Sequence, residues 1–364
     1  MTASEIASKF NLKGKVEQLE PISTGHINDT YKVTCSGGRQ YLLQKINHYV
    51  FKYVDVLINN IDTVTNYLRS QQSKGLYPKE MQVLRLIDTK ENTLYYHAAD
   101  DSYWRVYDFV NAKSFDIAST PEQAILGGKA FGLFSASLAN IEMSGIGETI
   151  KKFHDIDFRL DNLKTAIKKN PKNRKAEVQE EIDYVLSISD EMHSIKWAGE
   201  KGEIPKRVLH NDTKYNNLLF NEQNEPISIV DLDTIMPGYI HYDFGDAVRT
   251  MASTLEEDDP NYEDVTINME MFKAFSKGFL SELKDTLNAK EISLLPNAIA
   301  FMAYIMGTRF LTDYIEGDIY YKIKRPSHNL DRCRNQLHFV KEVLRVKANL
   351  ANYIRECLKP EHSL

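Results

Sequence analysis

The sequence predicts an α+β chain in two lobes: a small antiparallel-sheet lobe over 1–111, then a larger, mostly helical lobe over 112–364. Three observations predict it. Short period-two runs separated by glycine turns dominate the first third, and runs with helical spacing dominate beyond residue 120. Between the helices, Val208–Phe220 and Ile227–Asp233 break the pattern with short apolar runs that end in polar residues.

The elements follow in order. Residues 5–10 read as a short helix. Val16–Ile22, Thr30–Cys35 and Gln40–Ile46 alternate as strands, joined by the 23–29 turn and the Ser36-Gly37-Gly38 hairpin. In the third strand, Tyr41, Leu43 and Lys45 share a face. Across Asp55–Leu68, an apolar stripe of Leu57, Ile58, Ile61, Val64 and Leu68 predicts a helix packed on the sheet. Further strands around 83–87 and 93–97 fill out a sheet expected to have five strands, and Tyr103–Val110 reads as the hinge between lobes. Pro121 opens a helix reaching Leu138, where Gly127, Gly128 and Gly132 imply close helix packing. Lys164–Lys175 is basic and rich in Asn, a solvated connection by composition. Ala176–Ile195, Met269–Leu283, Ile292–Tyr314 and Leu330–Leu358 carry helical periods.

Composition narrows the class. A chain of 364 residues can bury two cores, and its 42% hydrophobic and 26% charged content suits a soluble globular protein. The net charge of -6 argues against a nucleic-acid or anionic-membrane partner. Cys35, Cys333 and Cys357 lack metal-site spacing and read as reduced thiols of a cytoplasmic protein. The N-terminus has no signal pattern, and the most apolar run, Ala298–Gly307, is too short to span a bilayer.

The chemistry concentrates in His210-Asn211-Asp212, Asn217 and the Asp231-Leu232-Asp233 cluster. Phosphoryl transfer needs a carboxylate aimed at an acceptor hydroxyl and hard oxygen ligands for Mg²⁺. Asp212 suits the first role; Asn217 and Asp231 suit the second, delivered by a hairpin whose turn is Asn221–Pro226. A metal-dependent hydrolase built on His210, Asp212 and Asp231 would want a further His nearby, and the sequence has none there. Asp243-Phe244-Gly245 spells a metal-binding triplet, but Asp243 and Asp246 read better as braces of the helix that follows. Lys45 falls where a phosphate-binding lysine is expected, and the hydroxyls of Ser23 and Thr24 join a single-glycine turn whose N–H groups can face the phosphates of ATP. The helix after the third strand offers no Glu to hold Lys45; Asp62 is the acid within shorter reach.

These blocks resemble the aminoglycoside phosphotransferase and choline kinase superfamily, which implies a bilobal protein-kinase-like fold. More narrowly, Gly25–Thr30, His210–Lys214 with Asn216-Asn217, Asp231–Gly238, Arg309–Tyr314 and His328–Arg332 are similar to the N-acetylhexosamine 1-kinases. The resemblance covers nearly the whole chain. It implies transfer from ATP, with Mg²⁺, to the C1 hydroxyl of N-acetylglucosamine or N-acetylgalactosamine. Asp212 would be the base, Asn217 and Asp231 the metal ligands with Asp233 in support, and His26, Asp212, Arg309 and Tyr320 the sugar contacts. Plainer readings stand beside these: His26 as a turn cap, Arg309 in a buried ion pair with Asp313, and Tyr320 as core. Two other functions also stand. One is a kinase of the same superfamily for an aminoglycoside, choline or homoserine, of which an amine acceptor calls for an acidic pocket. The other is a nucleotide-binding pseudokinase, slightly favoured by the single loop glycine and the missing helix Glu and strongly opposed by the intact Asp212, Asn217 and Asp231.

Overall fold

Five alternating runs pair antiparallel into one sheet: β1 Val16–Ile22, β2 Asp29–Cys35, β3 Gln40–Ile46, β4 Tyr96–His97 and β5 Tyr103–Asp108, in the order β1-β2-β3-β5-β4. The computed structural model describes residues 1–22 and 27–359. It falls into two units. The first gathers Met1–Ser114, Asn140–Lys151 and Leu218–Pro237; the second gathers Phe115–Ala139, Lys152–Asn217 and Gly238–Leu364. The mixed α+β architecture, with its five-stranded antiparallel sheet followed by a helical part, is the one the sequence predicts.

In the first unit, α1 (Ala3–Ala7) starts at a capping box in which Thr2 and Glu5 satisfy each other's backbone N–H. Its Ile6 and Ala7 pack with Phe10, Val33, Tyr41, Leu43, Trp104 and Val106 on one face of the sheet. The helix α2 (Val54–Ser73) buries the expected stripe of Leu57, Ile58, Ile61, Val64 and Leu68. Two expected strands shrink. Residues 83–87 make only a bridge, Leu86 to Tyr107, because Gln82 at their start spends its N–H on Ile227 and its C=O on Ser228. Of 93–97, only Tyr96–His97 pairs, because Thr93 closes a turn onto Thr89 through backbone and hydroxyl. The run read as a hinge is β5, hydrogen-bonded to β3 on one side and β4 on the other.

The second unit is helical: α3 Pro121–Ser137, α4 Ile156–Lys169, α5 Gln179–Ser187, α6 Ser189–Met192, α7 Ser194–Glu200, α8 His241–Met251, α9 Met269–Leu283, α10 Ala289–Glu316 and α11 His328–Cys357. Two expectations fail here. Residues 164–169, read as solvated connection, belong to α4, which buries Leu160, Leu163 and Ala166 and ends at a left-handed Asn170. The single helix expected over 176–195 is broken into α5, α6 and α7, where the side chains of Ser187, Ser189 and His193 take the carbonyls of Tyr184, Leu186 and Ser189. The central element is α10, packed by α4, α8 and α11. It is long and apolar enough to cross a membrane, but 89% of its most apolar window is buried inside the protein. The strand β6 (Arg207–Leu209) is tied to α10 by Arg207, whose guanidinium pairs with the buried Glu291 at 2.8 Å. The first unit also contains the hairpin of β7 (Leu218–Phe220) and β8 (Pro226–Ile229), turned by Asn221, whose side-chain oxygen accepts the N–H groups of Gln223 and Glu225.

The α3 glycines act by closeness. A Cβ on Gly128 would meet the Phe275 carbonyl of α9, and one on Gly278 would meet the Ile125 carbonyl of α3. The two backbones touch where any side chain would separate them. Gly128→Ala is therefore expected to destabilise the protein by about 1–3 kcal/mol, as overpacked cores do. Gly145→Ala, where nothing lies within 4 Å, should leave the thermal midpoint in place; equal midpoints for both variants would refute the close-packing argument.

Candidate active site

The loop after β6 is shaped by an acid from α8. Asp243 accepts the backbone N–H of His210 at 3.0 Å and of Asn211 at 2.7 Å, and its carbonyl accepts the Thr213 hydroxyl at 2.6 Å. These bonds hold Asn211 in the left-handed region, φ 62, which Asn tolerates better than most residues. Asp243, expected to brace its own helix, braces the loop instead. Burial pushes its carboxyl up to about 7, opposed by the bonds from Asn211 and His210. Gly245, one turn into α8, lets that helix approach the Ala298 carbonyl of α10, which sets the depth at which Asp243 meets the loop.

The loop presents Asp212. Lys214 Nζ lies 3.1 Å from Asp212 Oδ1, and the Asn217 amide nitrogen donates to Asp212 Oδ2 at 3.1 Å and to its carbonyl at 2.8 Å. Burial opposes ionisation of Asp212, but Lys214, His210 and the bonds from Lys214 and Asn217 outweigh it and hold the carboxyl below its usual range. Asp212 and Asn217 thus lie side by side. The Asn217 side chain turns its NH₂ toward Asp212, which leaves its oxygen for a hard cation.

The same unit contains a small cavity of about 110 Å³ lined by Arg159, Arg309, Asp313, Glu316, Tyr320 and Tyr321, with Asn162 and Thr312. It brings Arg309 and Tyr320 together, with the guanidinium 5.8 Å from the Tyr320 ring, 5.4 Å from Tyr321 and 5.5 Å from Phe153. Arg309 makes no ion pair with Asp313. That carboxylate is spent on the N–H groups of Ile319, Tyr320 and Tyr321 and on the Asn329 amide, all within 3.0 Å, so it shapes the turn that carries Tyr320. Tyr320 itself is 59% exposed, which removes the reading of it as core.

Several of these residues escaped the sequence reading. Arg159 on α4 donates to the Phe153 carbonyl; burial and the neighbouring Arg309 lower its affinity for its proton, to about 10. His154 is buried beside the Tyr242 ring at 5.0 Å. Burial first, then Arg309 and Arg159, push its pKa down to about 3, against the pull of Asn211 and Asp212. It is a neutral imidazole within electrostatic reach of Arg309, Arg159 and Asp212. The signal for both was available in principle, since Phe153-His154 and Arg159 flank the buried face of a helix.

In the first unit, Asp231 leaves β8 in the left-handed region, φ 56, and opens a turn, Leu232–Thr234. Asp233 is buried; it pairs with Arg105 at 2.6 Å and accepts the Asn28 amide at 2.7 Å. Arg105, on β5, also donates Nε and Nη2 to Gln44 Oε1, at 3.0 and 2.9 Å. Strand register explains why Lys45 is not there. Gln44 lies opposite Arg105, whereas Lys45 lies opposite Trp104 and sits 5.9 Å from that ring, on the face with Tyr41 and Leu43 that packs on α1. The phosphate-binding position expected for Lys45 is corrected accordingly: period two turns it to the other side of the sheet from Arg105 and Asp233. No ion pair joins Lys45 to Asp62 among the described residues. Ser23, Thr24 and His26 lie outside the described residues, which also hold no group of three or more His, Cys, Asp or Glu side chains placed to share a metal ion.

The profile of the phosphotransferase enzyme family matches residues 18–266, more than half of the chain, and the chain belongs to that family. Solved structures of similar fold include an aminoglycoside phosphotransferase from Alicyclobacillus acidocaldarius, with 14% identity, TM-score 0.60, and coverage of 98% of this chain and 97% of that one. An amicoumacin kinase in complex with AMP-PNP, Ca²⁺ and Ami matches at 14% identity and TM-score 0.61, over 92% of this chain and 91% of that one. A microcompartment-associated aminopropanol kinase matches at 15% identity and TM-score 0.66, over 96% and 98%. At these identities the likeness is one of fold.

Two stability outcomes follow. Asp243→Asn sets an NH₂ group against a loop N–H, and the lost bond should lower the urea midpoint by the equivalent of about 1–3 kcal/mol; an unchanged midpoint would show that the brace contributes nothing. His154, depressed from 6.5 to about 3 in the native protein, gives stability that is complete above pH 6.5 and is lost as pH falls toward 3, because only the unfolded chain takes up the proton in that window. His154→Gln should flatten that part of the pH dependence of urea unfolding, and an unaltered slope would exclude His154 as its source.

Proposed function

We propose that this protein is an ATP-dependent kinase that transfers the γ-phosphoryl group to the anomeric C1 hydroxyl of N-acetylglucosamine or N-acetylgalactosamine. One observation supports the reading: one compact unit holds a braced loop that offers the ionised Asp212 and a cavity lined by Arg309 and Tyr320, and the charges of both Asp212 and Arg309 bear on the buried His154. Asp212 orients and deprotonates the hydroxyl. Its lowered pKa makes it a modest base, so most of its effect is placement of the nucleophile. The cavity supplies guanidinium and phenol donors for an acetamido carbonyl and ring hydroxyls. His26 keeps the sugar role that the family resemblance gives it, and Ser23 and Thr24 the phosphate role read from the hydroxyls of their turn.

The donor set fits Mg²⁺. Asp231 and Asp233 carry carboxylates and Asn217 an amide oxygen, the hard ligands that this ion takes. Asn217 and Asp231 would hold it, with Asp233 in support; when bound, it offsets the negative charge of the phosphates. The amicoumacin kinase was solved with AMP-PNP and a divalent cation, which supports ATP as donor here. A reaction that consumes ATP on a free sugar belongs in the cytoplasm.

The aminopropanol kinase of similar fold raises an amine acceptor as the second reading. Arg159 and Arg309 share the cavity lining with the carboxylates of Asp313 and Glu316, so charge balance alone does not choose between a neutral sugar and a cationic acceptor.

The test is ATP consumption with Mg²⁺ across N-acetylglucosamine, N-acetylgalactosamine, glucose, galactose, choline, homoserine and kanamycin, with phosphorus NMR of the product. An anomeric phosphate on the N-acetyl sugars is expected; turnover confined to an amine would discard the sugar contacts. Asp212→Asn should keep nucleotide binding and lose transfer by several orders of magnitude, and near-normal turnover would remove Asp212 from the reaction.

A further inference from the structure

A charged side chain inside an apolar strand needs an account. Arg105 stands between Trp104 and Val106 on β5 with 1% of its surface exposed, and its guanidinium lies 5.2 Å from the Tyr107 ring. Gln44 holds Nε and Nη2, and Asp233 pairs with Nη2. Asp231 is also close enough to favour its charge. Nη1 is buried and has no hydrogen-bond partner among the described residues. Asp233 Oδ1, ion-paired with Nη2, is likewise buried without a hydrogen bond, and a guanidinium nitrogen left without an acceptor costs stability that a purely structural ion pair would not need to spend. Such an orphan donor, beside two carboxylates suited to Mg²⁺, has the chemistry of a phosphate-binding group.

We propose that Arg105 is the cation that binds the phosphates of the nucleotide, in the place where the sequence pattern expects a lysine on β3. The proposal rests on the phosphotransferase reading above. Gln44 occupies the β3 position that faces Arg105 in the strand register and has no charge of its own. It fixes the guanidinium through two donors. Asp233 takes a third contact, and Nη1 is left for a phosphate oxygen. The charge is thus supplied from the neighbouring strand, and β3 supplies the clamp. A helix acid has no part in the arrangement, which accounts for the missing Glu on α2.

The experiment is titration of a fluorescent ATP analogue with Mg²⁺, and competition by adenosine, without any acceptor present. Wild type, Arg105→Gln, Arg105→Lys and Lys45→Ala are compared after far-UV circular dichroism and thermal melts. Arg105→Gln is expected to weaken Mg·ATP by about tenfold or more while leaving adenosine affinity intact, because only a phosphate contact is lost. Arg105→Lys keeps the charge and the pairing with Asp233 but loses the fork, so an intermediate loss is expected. It carries the test if Arg105→Gln does not fold. Wild-type affinity for Mg·ATP in a folded Arg105 variant overturns the proposal. So does an equal loss for ATP and adenosine, which is what a merely structural role gives, or a larger loss in Lys45→Ala than in Arg105→Gln. A wrong sugar assignment cannot alter these readouts, whereas a wild-type protein that binds no Mg·ATP overturns this proposal and the kinase reading together.

Discussion

The Asp243 carboxylate, buried against the backbone of the loop after β6, is the interaction on which the candidate catalytic geometry depends. A loop with a left-handed Asn211 does not hold that conformation unaided. Two backbone N–H groups converge on one acid, and a hydroxyl fixes the carbonyl behind it. Because the brace acts on the main chain, it asks nothing of the Asp212 side chain, which remains for Lys214, Asn217 and an acceptor. The cost is a buried carboxylate, and it is met by the same N–H groups that need positioning. This reciprocity adds to the packing of the buried His210 ring against Phe131 and Phe134 in holding the loop.

The first unit solves a similar problem with a charge pair. Arg105 and Asp233 are both nearly inaccessible, and a buried pair of this kind rarely adds stability over apolar residues of the same size. One thing it does is fix position. Asn28 ties Asp233 to β2 and, through its side-chain oxygen, accepts the Asn47 N–H just after β3, while Gln44 ties Arg105 to β3 itself. The turn that carries Asp231 and Asp233 is locked to the sheet at its acid. Asn60 adds a second lock by donating from α2 to the Ile235 carbonyl at 2.8 Å.

Much of this was legible because it is periodic. The three long strands and the α2 stripe follow from spacing alone, and the α3 glycines announce close helix packing without saying that α9 is the partner. The hydrogen bonds between Asn217 and Asp212 span five residues of loop and were not read, because the spacing was taken to set Asn217 beside Asp231. Period two also placed Tyr41, Leu43 and Lys45 on one face, but alternation does not say which face meets α1, and the role given to Lys45 needed that information. Arg105 could have been found: a lone charge in Tyr103-Trp104-Arg105-Val106-Tyr107 calls for a buried partner, yet the run was read as a hinge, where a charge needs none. Asp243 was beyond reach, because its bonds span more than thirty residues from helix to loop and leave no trace in spacing. The basic 164–175 segment misled by composition, which counts the exposed lysines of α4 and not the three apolar residues beneath them.

The cavity in the second unit shows how neighbouring charges can be kept apart from one another's neutralising partners. Asp313 lies in its wall and is near enough to be a counter-ion, but the turn over 319–321 has already consumed its lone pairs. Arg309 rests instead among aromatic rings, which stabilise a cation without cancelling its charge. A protonated His154 would add a third positive group within reach of both these arginines and Asp212. Burial forbids it, so Asp212 keeps a neutral neighbour on that side and its charge is set by Lys214 and His210. In the proposed reaction this separation matters: the acceptor is gripped by donors that stay charged, while the carboxylate that must receive its proton is not over-stabilised by the same arginines. An imidazole that titrated near neutrality would couple substrate grip to base strength, and the packing around His154 removes that coupling.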